Sequence, residues 1–261
     1  MQNPDGTPIW FELNTADEAK AGHFYAATIG WTFARSPMPE HDAYLIASAP
    51  DGAAIAGITI PPANVPSLPD WSIYFGTSDV DAAATRVREL GGSIQVEPMD
   101  IPGIGRFAVA RDPQQVSFML MTGVSPDPSS AFIQGSHHGH GVWIELATPD
   151  LEGALAFYGA LFGWTREGAM PMGPMGDYVF LGSGETRPGA VMSSETTGAP
   201  ARWNWYAYVP DIDAAIAAAT RHGGVLLQGP DEIPGGDYSA NIGDATGAQI
   251  GMVGPRIGDA A

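Results

Sequence analysis

Glu12 and Glu145 stand in matched surroundings, Trp10-Phe-Glu-Leu-Asn-Thr-Ala-Asp17 and Trp143-Ile-Glu-Leu-Ala-Thr-Pro-Asp150. On an alternating segment each carboxylate shares a strand face with the indole two residues before it. A weaker copy of the same stretch recurs as Trp71-Ser-Ile-Tyr-Phe-Gly-Thr-Ser-Asp79 and Trp203-Asn-Trp-Tyr-Ala-Tyr-Val-Pro-Asp211, with Tyr74 and Tyr206 where the glutamates stood. The pattern predicts a Glu–Tyr pair, backed by tryptophan, inside each of two apolar clefts. An apolar cavity with a few convergent polar groups is the common form of a small-molecule site. Desolvation there pushes a carboxyl upward, toward general acid or base work. An architectural pair holding two units together is the other reading, and its presence twice favours that; spacing alone does not separate the two.

Other reactive side chains carry less. His137-His138-Gly-His140 is a cluster of the kind that binds metal, but its Ser/Gly surroundings read as a solvated linker. His23, His41 and His222 read as helix, loop and helix C-terminal residues of structural or surface type. Met170, Met172 and Met175 form either an adaptable lid over a cleft or a plug in an interdomain seam. The absence of cysteine removes thiolate nucleophiles, disulfides and cysteine metal sites together. No dinucleotide fingerprint, P-loop, zinc-protease helix or nucleophile elbow occurs.

The elements that must position these residues repeat in register. Each Trp-x-Glu strand meets a capping aspartate (Asp17, Asp150), then a helix with apolar residues at i, i+3, i+4 and i+7 containing Phe24-Tyr25 or Phe157-Tyr158. Gly30-Trp31 and Gly163-Trp164 end those helices. Asp79 and Asp211 begin the second helix of each half, and Gly91-Gly92 and Gly223-Gly224 stop it. Short strands separated by Pro/Asp/Gly turns follow each helix, so the repeating unit reads βαβββ, four times. Pro61–Pro69 reads as a stiff connector, Pro126-Asp-Pro-Ser-Ser as the interdomain linker, and Gly254–Ala261 as a loose tail. The fold class is α+β, in two tandem domains over residues 1–126 and 127–261, each a cupped, mostly antiparallel sheet.

Composition narrows the partners. A net charge of −18 over 261 residues repels nucleic acid and anionic lipid, and suits either solubility or a cationic ligand. No apolar run approaches the roughly 18 residues of a membrane span. The opening Met1-Gln-Asn-Pro-Asp-Gly lacks the basic and apolar regions of a signal peptide, so the expected location is cytoplasmic. A monomer with an internal pseudo-dimer, no nucleic-acid or membrane partner and no cofactor are the matching expectations.

The paired βαβββ units, the helix ending Phe-Tyr-x4-Gly-Trp, and the Asp-Pro turn with its final strand resemble the vicinal oxygen chelate superfamily, which includes glyoxalases, bleomycin-resistance proteins, fosfomycin-resistance enzymes and extradiol dioxygenases. The Trp-x-Glu-Leu-x-Thr opening is similar to a two-domain, glyoxalase-like subgroup. The resemblance implies metal ligands seven residues before each capping aspartate, seven after the Asp of the Asp-Pro turn, and near the end of the fourth strand. Those positions hold Trp10, Ser72, Trp143 and Asn204; Met119 and Gly251; and Gly57–Thr59 and Ala190–Met192. None is a histidine or carboxylate, so the expectation is that neither domain keeps the metal set. The expected ligand-binding residues are Trp10, Glu12, Tyr74, Met119, Trp143, Glu145, Asn204 and Tyr206. The favoured reading is a metal-free binder of a small aromatic or amphipathic molecule, of sequestration or resistance type. The alternative is a metal-independent isomerase, lyase or tailoring enzyme with Glu12 or Glu145 as its acid–base group.

Overall fold

The computed structural model describes residues 3–38, 41, 44–61 and 68–257. Most of the Pro61–Pro69 connector and the last residues of the expected tail lie outside that set. The first half runs β1 (Pro8–Asn14), α1 (Glu18–Thr28), β2 (Thr32–Arg35), β3 (Leu45–Ser48), β4 (Ala54–Thr59), β5 (Asp70–Gly76), α2 (Val80–Glu89), β6 (Ser93–Ile101), β7 (Gly105–Arg111) and β8 (Ser117–Gly123). The second half repeats it as β9 (Gly141–Thr148), α3 (Leu151–Phe162), β10 (Thr165–Pro171), β11 (Asp177–Ser183), β12 (Thr186–Ser193), β13 (Arg202–Tyr208), α5 (Ile212–Arg221), β14 (Val225–Glu232), β15 (Tyr238–Gly243) and β16 (Gln249–Gly254). It adds a one-turn helix, α4 (Ser194–Thr197), that the sequence pattern does not anticipate.

The strands form two eight-stranded, mostly antiparallel, curled sheets of identical order, β2-β3-β4-β1-β5-β8-β7-β6 and β10-β11-β12-β9-β13-β16-β15-β14. Each βαβββ unit pairs its first strand in parallel with its last, as Glu12 with Gly57 and Glu145 with Ala190. Four α-helices start as the capping aspartates require: Asp17, Asp79, Asp150 and Asp211 each accept from a backbone N–H of the first turn. Gly163 adopts φ 75° at the end of α3, the left-handed conformation that closes a helix at no side-chain cost.

Packing cuts across the sequence repeat. One compact unit consists of Met1–Ile9, Ser72–Ser129 and Trp143–Asn204; the other of Trp10–Trp71, Ser130–Val142 and Trp205–Ala261. Each is centred on an aromatic core with one buried hydrogen-bond chain. In the unit holding α1 and α5, Trp71 Nε1 donates to the Tyr25 hydroxyl at 2.8 Å and that hydroxyl donates to Asp244 at 2.7 Å. Trp205 stacks on Phe11 with ring centroids 3.8 Å apart and also lies parallel to Trp31. In the unit holding α2 and α3, Trp203 Nε1 donates to the Tyr158 hydroxyl at 3.0 Å, and Tyr158 donates to Asp112 at 3.1 Å. Phe75 there meets Phe118, Phe162, Trp164 and Trp203. The Phe-Tyr of each long helix thus engages the turn aspartate of a unit distant in sequence: Tyr25 and Asp244 are 219 residues apart.

Burial shapes the titration of these groups. Desolvation holds the Tyr25 and Tyr158 hydroxyls well above their ordinary value, with the neighbouring Asp244 and Asp112 charges adding to it. Desolvation also raises the Asp112 carboxyl, against hydrogen bonds from Val116 and Tyr158 that lower it.

Candidate functional site

Alternation along β1 sends Phe11 and Leu13 into the core and leaves Trp10 and Glu12 half-buried on the other face. Beside them stands Tyr44, just before β3. Trp10 Nε1 donates to the Tyr44 hydroxyl at 2.8 Å, and that hydroxyl donates to Glu12 Oε2 at 2.8 Å. In this structure the Tyr44 hydroxyl fills the space over Gly57, the register partner of Glu12: a Cβ there would lie 1.9 Å from the Tyr44 oxygen. In the second sheet Trp143 Nε1 donates to Tyr178 at 2.8 Å, and Tyr178 donates to Glu145 Oε2 at 2.7 Å. Ala190 takes the place of Gly57.

The pairs Trp10/Glu12 and Trp143/Glu145 that the sequence singles out therefore meet, each through a tyrosine of its own βαβββ unit that the sequence reading missed. No local sequence signal marks them, because register places them: Tyr44 and Tyr178 both sit one residue before the strand position opposite the residue that follows Gly57 or Ala190.

Two of the other expected site residues meet on the first sheet. Tyr74 on β5 lies in register with Met119 on β8, in a row continued by Val109 and Val96. On the second sheet the equivalent row is Tyr206, Gly251, Asn241 and Gln228. It is polar: the Asn241 amide donates to the Tyr206 hydroxyl at 3.3 Å and to Gln228 at 3.4 Å. The Tyr206 ring occupies the space above Gly251, where a Cβ would come within 2.2 Å of it. Asn204 is buried two residues before Tyr206.

Aromatic surroundings distinguish the two glutamates. Phe180, in register with Ala190, meets Trp143 edge-on at 6.2 Å and Tyr178 edge-on at 5.8 Å, and Arg187 places its guanidinium carbon 4.8 Å from the Phe180 ring centre. At the same place in the first sheet stands Ile46, in register with Gly57. The methionine stretch is more ordered than a loop: Met170 pairs with Tyr178 in the β10–β11 ladder, and Gly173–Met175 is a single 3-10 turn. A groove of about 280 Å³ lined by Leu155, Trp164, Arg166 and Leu181 is separate from this site, since Leu181 points to the sheet face opposite Phe180.

Within the histidine cluster His137 is exposed, as expected of a solvated linker, and His140 departs from that expectation. His140 is 1% exposed, with Nδ1 2.6 Å from the Ser130 carbonyl and Nε2 3.0 Å from Asp51. Its bonds tie the linker to the β3–β4 turn. Among the described residues no three His, Asp or Glu side chains converge as a metal-binding group, and no helix is long and apolar enough to cross a membrane.

Comparison with known proteins agrees with this architecture. The profile of the Glyoxalase/Bleomycin resistance protein/Dioxygenase superfamily matches residues 8–120 and again 141–252. The protein CFP32 of Mycobacterium tuberculosis, whose name assigns it provisionally to the glyoxylases, is 30% identical over 252 residues, covering 96% of this chain and 95% of its own. The anthracycline biosynthesis protein DnrV of Streptomyces peucetius is also 30% identical, over 97% of this chain and 94% of its own. Among solved structures, the Mn(II)-bound glyoxalase of Novosphingobium aromaticivorans matches with a TM-score of 0.67 at 15% identity, covering 96% of this chain and 82% of that one. The 2,3-dioxygenase LapB of Pseudomonas sp. KL28 matches with 0.66 at 12% identity, covering 98% and 94%. At such identities these two likenesses speak for the fold alone. With both of its repeats matched, the chain belongs to the Glyoxalase/Bleomycin resistance protein/Dioxygenase superfamily.

Proposed function

We propose that the protein binds a small aromatic or amphipathic molecule without a metal, as a sequestering or carrier protein. The observation that carries this is the Trp–Tyr–Glu chain, built twice on a half-exposed sheet face. Each chain spends its indole N–H and its tyrosine O–H internally and ends on a carboxylate, which only accepts. The matching ligand group is therefore a donor, a phenolic hydroxyl or an ammonium, on a flat body that lies against the indole. The names of two relatives refer to anthracycline biosynthesis, which favours a small-molecule ligand here too.

The metal chemistry of the superfamily does not fit these residues. Trp10 and Trp143 present an N–H donor, Met119 a thioether and Gly251 no side chain, where nitrogen or oxygen ligands would have to converge. A second reading, a metal-independent isomerase, lyase or tailoring enzyme, is favoured by the same Glu–Tyr geometry, because a carboxylate on a tyrosine hydroxyl is placed to move a proton.

Ligand recovered from the freshly purified protein by native mass spectrometry, with Glu12→Gln and Glu145→Gln alongside, tests the proposal. At least one change should weaken binding by about 1.5 kcal/mol, typical of a lost hydrogen bond to a charged group, while the fold is kept. Recovery of a chemically altered ligand after incubation would favour the enzyme. Loss of thermal stability with unchanged affinity in both variants and the double would reduce the glutamates to scaffolding.

A further inference from the structure

The two Trp–Tyr–Glu chains are alike in their bonds and unlike in what surrounds them. On the β9–β12 face Phe180 stands perpendicular to both Trp143 and Tyr178, with interplanar angles of 76° and 84°, so the three rings form a corner around Glu145. Met170, in register with Tyr178 and 36% exposed, lies beside that corner, and Met192 shares the face of β12. On the β1–β4 face the corresponding side chains are Ile46 for Phe180, Ala34 beside it, and Asn14 paired with Thr59. Beyond the indole and tyrosine that both faces share, one adds a phenyl ring and thioethers around its carboxylate; the other adds aliphatic and polar side chains.

We infer that the β9–β12 face is the selective one, taking a fused aromatic ring that bears a hydroxyl, with Phe180 as the specificity-determining residue and Glu145 as the acceptor for that hydroxyl. This rests on the binding function proposed above and deepens it. Perpendicular rings offer an incoming flat molecule a face from one wall and an edge from the next, the two arrangements that aromatic pairs prefer. Thioethers on unbranched side chains adapt to ring outlines that a rigid wall would reject. Arg187, seated over Phe180, holds that ring in place and sets a positive charge beside it. A ring lacking a donor would displace water from beside the carboxylate and return no hydrogen bond to it beyond the one from Tyr178, which is how a polar site rejects an isostere. The β1–β4 face keeps the acceptor and lacks the corner.

Titration calorimetry with 2-naphthol as the probe, and 2-methoxynaphthalene as the same ring without a donor, decides the matter. The wild-type chain should bind one equivalent of 2-naphthol, and 2-methoxynaphthalene at least tenfold more weakly. Glu145→Gln and Phe180→Ile should each lower 2-naphthol affinity about tenfold, with melting temperatures close to that of the wild type. The difference between the two wild-type titrations does not depend on how any variant folds. Two equivalent sites, no binding to the wild type, equal affinity for both probes, or an unchanged affinity in Phe180→Ile would each overturn the inference. If Glu12→Gln weakens binding and Glu145→Gln does not, the binding function stands and this assignment falls. If neither glutamate change alters affinity, both fall.

Discussion

Trp71–Tyr25–Asp244 and Trp203–Tyr158–Asp112 lie buried in the cores of the two compact units, whereas Trp10–Tyr44–Glu12 and Trp143–Tyr178–Glu145 lie half-exposed on the sheets. All four run from an indole N–H through a tyrosine hydroxyl to a carboxylate. In the core the carboxylate belongs to a turn, and backbone amides also bond to it: Asp244 Oδ1 accepts from Thr246, Gly247 and Ala248, and Asp112 Oδ1 from Val116. Such a carboxylate is bonded by the fold on both oxygens and serves as a fastening. On the sheet it belongs to a strand whose other face is core, so it is held firmly and still faces outward. The same bonds run through the core in one setting and along a half-exposed sheet face in the other, and burial separates the two.

The largest expected effect separates the two settings directly. Tyr158→Phe strands the buried Trp203 N–H and one oxygen of Asp112, and Tyr25→Phe does the same to Trp71 and Asp244. Each should cost about 2–3 kcal/mol in urea unfolding, since buried groups left unpaired keep their full desolvation penalty. Tyr44→Phe and Tyr178→Phe leave groups that water can reach and should cost about 1 kcal/mol or less. Equal losses in all four would erase the distinction.

Gly57 sharpens the comparison between the two sheet faces. Gly57→Ala drives a methyl into the Tyr44 ring and hydroxyl, which must swing off both Trp10 and Glu12. The loss should be about 1–2 kcal/mol in thermal unfolding, in the range of overpacking, with a change in Trp10 fluorescence. The reverse change in the second sheet, Ala190→Gly, opens space without breaking the chain and should cost less than about 1 kcal/mol. A Gly57→Ala protein as stable as the wild type, with unaltered fluorescence, would mean that Tyr44 is not pinned where the structure puts it.

Much of this was legible in the sequence, for definite reasons. Strand alternation and the capping aspartates are local, so Trp10, Glu12 and Asp17 could be placed from their own neighbours, and the superfamily followed from repeating them. Tyr44 was not legible because it reaches Glu12 across 32 residues and through a register that only strand pairing defines. The joining of α1 to the β15–β16 turn was hidden for the same reason: nothing local to Tyr25 names Asp244. His140 misled because its Ser/Gly flanks describe a flexible segment, while its ring is held by Ser130 and Asp51. Composition records what a segment tolerates, and burial depends on what arrives to cover it.

The smallest expected effect is a slope in pH, and it tests whether burial governs the core fastenings. Burial raises Asp112 above the ordinary aspartate value of 3.8, and the bonds from Val116 and Tyr158 only partly oppose it. The folded chain therefore holds that proton more tightly than the unfolded one does. The stability linked to Asp112 is fully present below the unfolded value and is lost as pH rises through the raised folded value. Asp112→Asn removes this titration and retains an oxygen that can accept from Tyr158. The unfolding free energy of the wild type, minus that of Asp112→Asn, should accordingly fall as pH is raised from about 4 toward neutrality. Asp51 supplies the opposite sign: its bond from the Ala53 amide, aided by His140, holds it below the ordinary value, so its share of stability is lost as pH falls. Measuring the variant against the wild type at each pH cancels that opposing contribution. A difference that rises with pH would mean that the hydrogen bonds to Asp112 outweigh its desolvation, and that the buried and open chains differ less than their exposure suggests.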